Sequence, residues 1–357
     1  MLSLLPNMHE DQSFTPVTET GEFGLIERID ALLGTPSDES VIRTIGDDAA
    51  VYRVGDGKVH VITTDALIEN IHFDRAFMPM EFLGVKSIAV NVSDVVAMNA
   101  RPKYATIAIG LPHDVSVEMV ESIYSGIKKA CKAYGMSLLG GDTTASQRMT
   151  LAITLIGEAE EDDVVYRHGA HIDDIVCVTG DLGASYAGLR VLLEQRAALQ
   201  KSGIDYVPAL DDYRYVIQRH LTPTPRLTAL NAFKKAGVIP TSMIDISDGL
   251  ASEMEHICRQ SHCGAMLKAG NLPIHDETRK AAAQFGQDAD TYALYGGEDY
   301  ELLLTLRPDD LAKLPAGTVT AIGTITDVED ILIETPEGSQ IGLKGKGYQH
   351  FGGPSDV

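Results

Sequence analysis

The chain has 357 residues, of which 44% are hydrophobic and 22% charged, so it is long enough for about two domains and too apolar for extensive disorder. Acidic residues outnumber Lys and Arg by 51 to 29, which gives a formal net charge of −22. This charge disfavours binding to nucleic acid and to anionic membranes. An acidic chain that binds phosphates is expected to recruit divalent cations to do so.

Helices and strands are predicted to alternate along the whole chain. The first twenty residues are polar and predict a poorly ordered arm, after which apolar residues at helical spacing predict a helix that stops at Gly34. The first half is predicted to contain strands over 49–54, 59–63, 104–109, 137–139 and 150–156 and helices over 81–99 and 117–134. The second half is predicted to contain strands over 175–179, 301–306 and 319–324 and helices over 227–236 and 249–261. The pattern indicates the α/β class with mixed sheets.

A charged run over 158–163 separates the two halves of the chain. We therefore expect a flexible arm over 1–20, an N-terminal domain over 21–160 and a C-terminal domain over 161–357. Residues 194–216 are polar and have no clear period, so we expect the end of a helix followed by a loop.

The four cysteines have no CxxC motif and no Cys/His spacing typical of a zinc site. They are Cys131, Cys177, Cys258 and Cys263. We expect them to be buried free thiols in a reducing compartment. No stretch reaches 18 apolar residues and the N-terminus lacks the basic segment of a signal peptide, so the expected location is the cytoplasm.

Acidic residues beside Gly, Ser or Thr are the feature that indicates chemistry. The sequence has no GxxxxGK[ST] phosphate loop, no GxGxxG after a strand, and no HExxH, GxSxG or EF-hand motif. It has instead six acidic clusters at predicted element ends: Gly46-Asp47-Asp48, Thr63-Thr64-Asp65, Ser93-Asp94, Gly140-Gly141-Asp142, Asp245-Ile246-Ser247-Asp248-Gly249 and Gly296-Gly297-Glu298-Asp299. Each alone also fits an ordinary turn or a helix cap. Together they predict a site where divalent ions bridge carboxylates to polyphosphate.

Asp94 lies within a predicted helix that is apolar on nearly every side and therefore mostly buried. It shares one face with Ser87 and Asn91, and no Lys or Arg lies one turn away on that face. A buried carboxylate without a partner costs several kcal/mol. We therefore expect either a metal ion or a distant Arg to contact Asp94, and the sequence favours neither alternative over the other.

In order and spacing, the motifs resemble those of the thiamine-monophosphate kinase family, which belongs to a superfamily with aminoimidazole ribonucleotide synthetase and selenophosphate synthetase. The resemblance covers about residues 21–353. Besides the acidic clusters, it rests on Gly21-Glu22-Phe23, Asn70-Ile71-His72-Phe73, Lys86 through Met98, Arg167-His168-Gly169-Ala170 and Lys346-Gly347-Tyr348.

This resemblance implies roles for particular residues. The implied ligands of several Mg²⁺ ions are Asp48, Thr63, Thr64, Asp65, Asp94, Asp142, Asp245 and Asp248. The implied ATP contacts are Gly141, Asp142, Arg167 and Ser247, and the implied contacts to thiamine monophosphate are His72, Glu298 and Tyr348. No residue has the arrangement of a covalent nucleophile, so the resemblance implies metal-assisted, in-line transfer from ATP that gives thiamine diphosphate.

The resemblance also implies an N-terminal domain whose strands pair across a homodimer, a C-terminal α/β domain, and a site between them. Two other functions stay open. Another ATP-dependent enzyme of the superfamily is one, although a selenophosphate synthetase needs a reactive residue near its N-terminus and the first Cys here is Cys131. The other is a non-catalytic acidic protein that binds Ca²⁺ or a basic partner.

Overall fold

The computed structural model describes residues 15–202 and 206–344. The chain divides into two compact units, of which one includes the described residues 15–35 and the other spans residues 36–347. The first unit contains α1 (Val17–Leu33), which Gly21 interrupts with a φ of 71°. Helix α1 thus begins within the stretch predicted as an arm, and the positive φ of Gly21 joins its two helical stretches.

The first sheet of the larger unit has six described strands. They are β1 (Val41–Arg43), β2 (Ala50–Gly55), β3 (Lys58–Ile68), β4 (Arg101–Leu111), β5 (Ser137–Ala145) and β6 (Thr150–Glu160). Their order across the sheet is β1-β2-β3-β6-β4-β5, and β5 pairs in parallel with β4 at the edge. The β3–β6 ladder runs unbroken from Lys58↔Glu160 to Ile68↔Thr150.

Two predicted strand ends are wrong in this sheet. The Thr63-Thr64-Asp65 cluster lies inside β3, and Gly140-Gly141-Asp142 lies inside β5. Both strands continue because their neighbours supply ladder partners for these polar and glycine residues. At Gly141 a glycine is required, since a Cβ atom would lie 1.7 Å from the carbonyl oxygen of Ile107 on β4.

Helices α2 (Met80–Ala97) and α3 (Val117–Tyr134) pack together beside this sheet. Helix α2 is buried nearly all round, as its apolar composition predicts. The two helices can approach closely because residue 84 is a glycine. A Cβ atom at this position would lie 2.0 Å from the Ile123 carbonyl oxygen. Helix α2 contacts β3, β4 and β6 of the first sheet.

The second sheet has seven described strands. They are β7 (Ile175–Val178), β8 (Ser242–Asp245), β9 (Gly264–Lys268), β10 (Leu302–Leu306), β11 (Thr320–Thr326), β12 (Ile331–Glu334) and β13 (Gln340–Gly342), in the order β13-β12-β9-β11-β7-β10-β8. Helix α2 also contacts β8, so residues of this one helix reach both sheets. The predicted mixed α/β fold is confirmed.

The remaining helices belong to the second half of the chain. They are α4 (Ala184–Ser202), α5 (Arg214–Leu221), α6 (Leu227–Ala236), α7 (Leu250–Ser261), α8 (Asp276–Gln284), α9 (Ala289–Tyr295) and α10 (Pro308–Leu311). The loop expected within 194–216 is shorter than predicted. Helix α4 continues to Ser202 and α5 begins at Arg214, since Tyr213 and Val216 are buried in an apolar cluster with α4 and α8.

All four cysteines are free and buried, as predicted. Across the ranges described above, every helix is too short or too polar to span a bilayer.

Candidate active site at the central helix

Asp94 lies on the side of α2 that contacts β3. The Thr63 hydroxyl donates a hydrogen bond of 2.6 Å to Asp94 Oδ2, and the backbone N–H of Asp65 donates one of 3.1 Å to Asn91 Oδ1. Side chains alternate along a strand, so Thr63 and Asp65 share the face of β3 that also buries Val61. The expected common face of Asn91 and Asp94 on the helix is confirmed by these contacts.

Asp245 approaches the same helix from the second sheet. It is the last residue of β8 and is 3% exposed. The Ser93 hydroxyl donates a hydrogen bond of 2.6 Å to Asp245 Oδ2, across 152 residues of sequence. Residues 93 and 94 of α2 therefore contact carboxylate-bearing strands of both sheets.

Asp48 is held by the guanidinium predicted to contact ATP. Arg167 donates hydrogen bonds of 2.6 Å from Nη2 and 3.1 Å from Nε to Asp48 Oδ1, and its backbone N–H donates to Asp47 Oδ1 at 3.0 Å. The Arg43 Nε atom lies 3.1 Å from the other oxygen of Asp47. Asp48 Oδ2 is buried and has no hydrogen-bond partner among the described residues.

These carboxylates repel one another. Burial raises the pKa of Asp94 well above its usual value, and the nearby carboxylates of Asp65, Asp245 and Asp48 raise it further. Burial also raises the pKa of Asp245 to about 8, with Asp48 contributing, and the pKa of Asp48 to about 6 despite its ion pair with Arg167. We call Asp48, Asp65, Asp94 and Asp245 the acidic cluster. Arg167 pairs with Asp48 in this cluster, and a bound cation would favour the ionised forms of the other carboxyl groups.

The acidic cluster is not a finished metal site. Among residues 15–202 and 206–344, no three or more His, Cys, Asp or Glu side chains are arranged as a metal-binding group. Its donors are nevertheless carboxylate and hydroxyl oxygens, which hard divalent cations prefer, and Asp48 Oδ2 is a buried acceptor without a donor. The residues present therefore fit a hard cation in their chemistry, with some movement needed for coordination.

The loop after β8 carries Ser247 and Asp248. Gly249 is the N-cap residue of α7, one position after Asp248. The Asp248 N–H donates a 2.9 Å hydrogen bond to Glu253 Oε1 of α7. Burial raises the pKa of Glu253 well above its usual value, and the charges of Asp248 and Asp245 add to the shift, so Glu253 is a further buried carboxyl group beside the cluster.

The loop that carries Glu298 lies against this turn. The backbone N–H groups of Glu298 and Tyr300 donate to the carbonyl oxygens of Ser247 and Ile246 at 2.7 and 2.8 Å. Both Glu298 and Tyr300 have a left-handed backbone, with φ of 65° and 53°, which is strained for a residue with a side chain. Burial raises the pKa of Tyr300, and the charges of Glu298 and of three acids of the cluster raise it further. The Glu298 loop therefore adjoins the acidic cluster.

Other predicted residues lie apart from the cluster. Thr64 is on the opposite face of β3 from Asp65, where Thr64 Oγ1 donates to the Ile153 carbonyl at 3.0 Å. Gly141 and Asp142 are exposed on the edge strand β5. The ladder registers place Asp142 three strands from Ala66 of β3, which is about 14 Å at the usual strand spacing. The structure therefore does not bring Thr64 and Asp142 together with the four acids.

The remaining predicted substrate residues are His72 and Tyr348. His72 lies in the turn after β3, where its Nδ1 atom accepts a 3.0 Å hydrogen bond from the backbone N–H of Ile68. A backbone amide can only donate, so the Nδ1 atom carries no proton and a neutral ring presents an N–H at Nε2. Tyr348 lies outside the described residues.

Comparisons with known proteins identify the family. The model of the AIR synthase related protein, N-terminal domain, matches residues 46–159. The chain is 35% identical over 333 residues to a thiamine-monophosphate kinase from Aquifex aeolicus (strain VF5), an alignment that covers 93% of this chain and 99% of that protein. The chain belongs to the thiamine-monophosphate kinase family.

A second member of this family, from Bacillus subtilis (strain 168), is 33% identical over 342 residues, which cover 92% of this chain and 99% of that protein. The fold is shared as well. A solved structure described as AaThiL complexed with AMPPCP and TMP has a TM-score of 0.80 and 34% identity, over 95% of this chain and 99% of that chain. The family resemblance predicted from the motifs is confirmed.

Sequence analysis assigned no role to several residues that form the site of this member of the thiamine-monophosphate kinase family. Lys86 is fully buried, and Ser93, Glu253 and His220 are also buried. Lys86 could have been found by the argument applied to Asp94, since a charge in an apolar helix requires a partner. The hydroxyl of Ser93 and the ring of His220 give no such signal, because a neutral polar side chain does not require an ionic partner.

Proposed function

We propose that the chain transfers the γ-phosphoryl group of ATP to thiamine monophosphate, which gives ADP and thiamine diphosphate. The observation that carries this proposal is the acidic cluster at the junction of α2 with both sheets, beside the Glu298 loop. Family membership over nearly the full length supports it, as does the relative with 34% identity that is described as complexed with AMPPCP and TMP.

We propose Mg²⁺ as the cation of the acidic cluster. Asp48, Asp65, Asp94 and Asp245 would hold it, with Thr63 beside Asp94. When bound, Mg²⁺ would neutralise charge on the phosphates of ATP, which an acidic site otherwise repels. Asp248 adjoins the cluster and is retained as a proposed ligand. Metal binding by Thr64 and Asp142 stays a prediction. It requires a cation on the face of the first sheet opposite Asp65.

Positioning is the task left to the chain itself. The acceptor is already an anionic phosphate oxygen, so it needs no strong base, and direct in-line transfer needs no phosphorylated side chain. We propose that Arg167, Ser247 and Gly141 contact ATP. Arg167 suits a phosphate because its planar guanidinium offers several donors, of which Asp48 engages two. His72 would donate its Nε2 proton to the phosphate of thiamine monophosphate, while Glu298 and Tyr348 would complete that site.

We further propose a homodimer, a division into domains at about residue 160, and a cytoplasmic location. The exposed edge strand β5, in which the Leu139 side chain is 63% exposed, supports pairing with a second copy. The first sheet ends at Glu160 and the second begins at Ile175, which supports the domain division. The free buried cysteines fit a reducing compartment.

The test is a direct product assay. Purified protein is incubated with ATP, thiamine monophosphate and Mg²⁺, and ADP and thiamine diphosphate are measured in parallel. We expect equimolar products, no turnover in excess chelator, and no protein-bound phosphate when labelled ATP is used. ADP formation without thiamine diphosphate would favour another ATP-dependent activity of the superfamily. Absence of any ATP turnover, with a thermal shift in Ca²⁺ only, would favour a non-catalytic acidic protein.

A further inference from the structure

Buried side chains of two helices, α2 and α5, contact the Glu298 carboxylate. Lys86 Nζ on α2 lies 3.0 Å from each of the two carboxylate oxygens, and His220 Nδ1 on α5 lies 3.3 Å from Oε2. The Lys86 side chain is fully buried, whereas the Glu298 side chain is 25% exposed. The Lys86 ammonium group is therefore shielded from solvent, and the Glu298 carboxylate is the solvent-accessible member of the pair.

The hydrogen bonds fix the proton positions in this group. Burial would raise the pKa of Glu298, but Lys86 and His220 together lower it to about 2, so the carboxylate is ionised and can only accept. His220 Nδ1 must then carry a proton. Burial and the charge of Lys86 lower the pKa of His220 although Glu298 opposes the shift, which favours the neutral ring. His220 Nδ1 is thus positioned to donate a proton to Glu298 Oε2, and Ser185 Oγ lies 3.3 Å from the same Nδ1 atom.

A purely stabilising role does not account for this arrangement. A buried Lys–Glu pair contributes little net stability, because removing both charges from water offsets most of their attraction. Glu298 also adopts a left-handed backbone, a strained conformation that is concentrated at functional sites. Removing the charges from water and straining the backbone both cost free energy. A need to hold the Glu298 carboxylate in a fixed position explains both costs.

We propose that Lys86 and His220 are positioning residues that present the Glu298 carboxylate, fixed and ionised, to a cationic or hydrogen-bond-donating part of the substrate. This inference rests on the proposed function, in which Glu298 contacts thiamine monophosphate. A carboxylate repels a phosphate, so Glu298 meets the organic end of the substrate, where the thiazolium ring carries a fixed positive charge. Lys86 and His220 thereby affect recognition of thiamine monophosphate and leave recognition of ATP unchanged.

The experiment compares the Michaelis constants of variants for the two substrates. Lys86→Met removes the charge and retains the length, and we expect it to raise the KM for thiamine monophosphate tenfold or more, with the KM for ATP within twofold. Lys86→Arg should recover part of this loss. Lys103→Met is the matched control, because it removes an exposed lysine paired with Glu158 of the first sheet. It should leave both constants unchanged.

Two further variants test the hydrogen bond from His220. His220→Asn keeps an N–H donor near the position of Nδ1, whereas His220→Leu removes it. We expect His220→Leu to raise the KM for thiamine monophosphate several-fold more than His220→Asn does. This comparison, made on variants that melt cooperatively, decides the proposal on its own if Lys86→Met fails to fold.

The decisive measurement is the combination with Glu298→Gln. If Lys86 acts through Glu298, adding Lys86→Met to Glu298→Gln should change the KM for thiamine monophosphate by less than twofold. Independent, multiplying effects would overturn the proposal, as would an unchanged KM in both Lys86→Met and His220→Leu. A wild-type protein that makes no thiamine diphosphate would instead refute the proposed function, so the two failures are distinguishable.

Discussion

Glu301 is a buried acid and Asp94 a partly buried one, and they differ in which groups surround their carboxylates. Glu301 is fully buried, and its carboxylate accepts hydrogen bonds from Arg219 at 2.8 Å, from the Thr179 hydroxyl at 2.7 Å and from Arg226. Two guanidinium groups from α5 and from the start of α6 therefore surround one carboxylate. This charge is neutralised inside the protein.

Asp94 has no comparable support. Its hydrogen bond comes from Thr63, and the charges that surround it are the carboxylates of Asp65, Asp245 and Asp48. The fold thus places arginines around Glu301 and further carboxylates around Asp94, where we propose that a cation binds. The two acids should consequently respond to neutralising substitutions in opposite ways.

The largest effect is expected for Glu301→Gln. This change leaves Arg219 and Arg226 without a full countercharge, and breaking a buried ion pair costs about 3–5 kcal/mol of unfolding free energy. Denaturant titration measures it. Glu161→Gln is the control, since Glu161 pairs with Arg53 at the surface and its loss should change stability little. Equal unfolding free energies of the two variants would show that the ion pairs of Glu301 with Arg219 and Arg226 do not stabilise the fold.

Asp94→Asn should affect activity and spare the fold. The substitution is nearly isosteric and removes one of several repelling carboxylates, so the unfolding free energy should stay the same or increase. Loss of a metal-binding oxygen should lower turnover about a hundredfold, or about 2.7 kcal/mol. Steady-state kinetics and denaturant titration on the same preparation test this. An unfolded variant with normal activity per folded molecule would identify Asp94 as a structural ion-pair residue.

The smallest effect is the stabilisation of the wild-type protein by Mg²⁺ alone. A cation that binds only the folded state adds about 1.4 kcal/mol when its free concentration is ten times its Kd, and so raises the melting temperature by a few degrees. Glu161→Gln should keep this shift and Asp94→Asn should lose most of it. A shift of the same size in NaCl of matched ionic strength would mean that screening, rather than binding, is responsible.

Sequence reasoning located the acids better than it located the strands around them. The apolar helix around Asp94 has a strong pattern, so its burial was predictable, whereas the cation expected at Asp94 stays a prediction. Strands β3 and β5 were predicted too short, because Thr63-Thr64-Asp65 and Gly140-Gly141 interrupt the apolar pattern although the ladders continue. Strand β8 was missed because its four consecutive buried residues show no alternation, and β9 was missed because buried and accessible positions do not alternate regularly along it.

Long-range pairing accounts for the rest of what could not be predicted. The contacts Ser93–Asp245 and Lys86–Glu298 join residues 152 and 212 positions apart. Local propensity carries no information on such pairs. The separation of Asp142 from the acidic cluster follows from the strand order β3-β6-β4-β5, which the sequence pattern does not encode.

The 212 residues between Lys86 and Glu298 also have a consequence for how the protein is made. Synthesis proceeds from the N-terminus, so α2 and the first sheet leave the ribosome long before the loop that carries Glu298. During that interval Lys86 is a charge on an apolar helix without its distant partner, so we expect the helix to pack loosely until Glu298 arrives. Contacts of such high sequence separation form late in folding. On refolding from denaturant, the far-ultraviolet circular dichroism signal should therefore recover before thiamine-monophosphate kinase activity does.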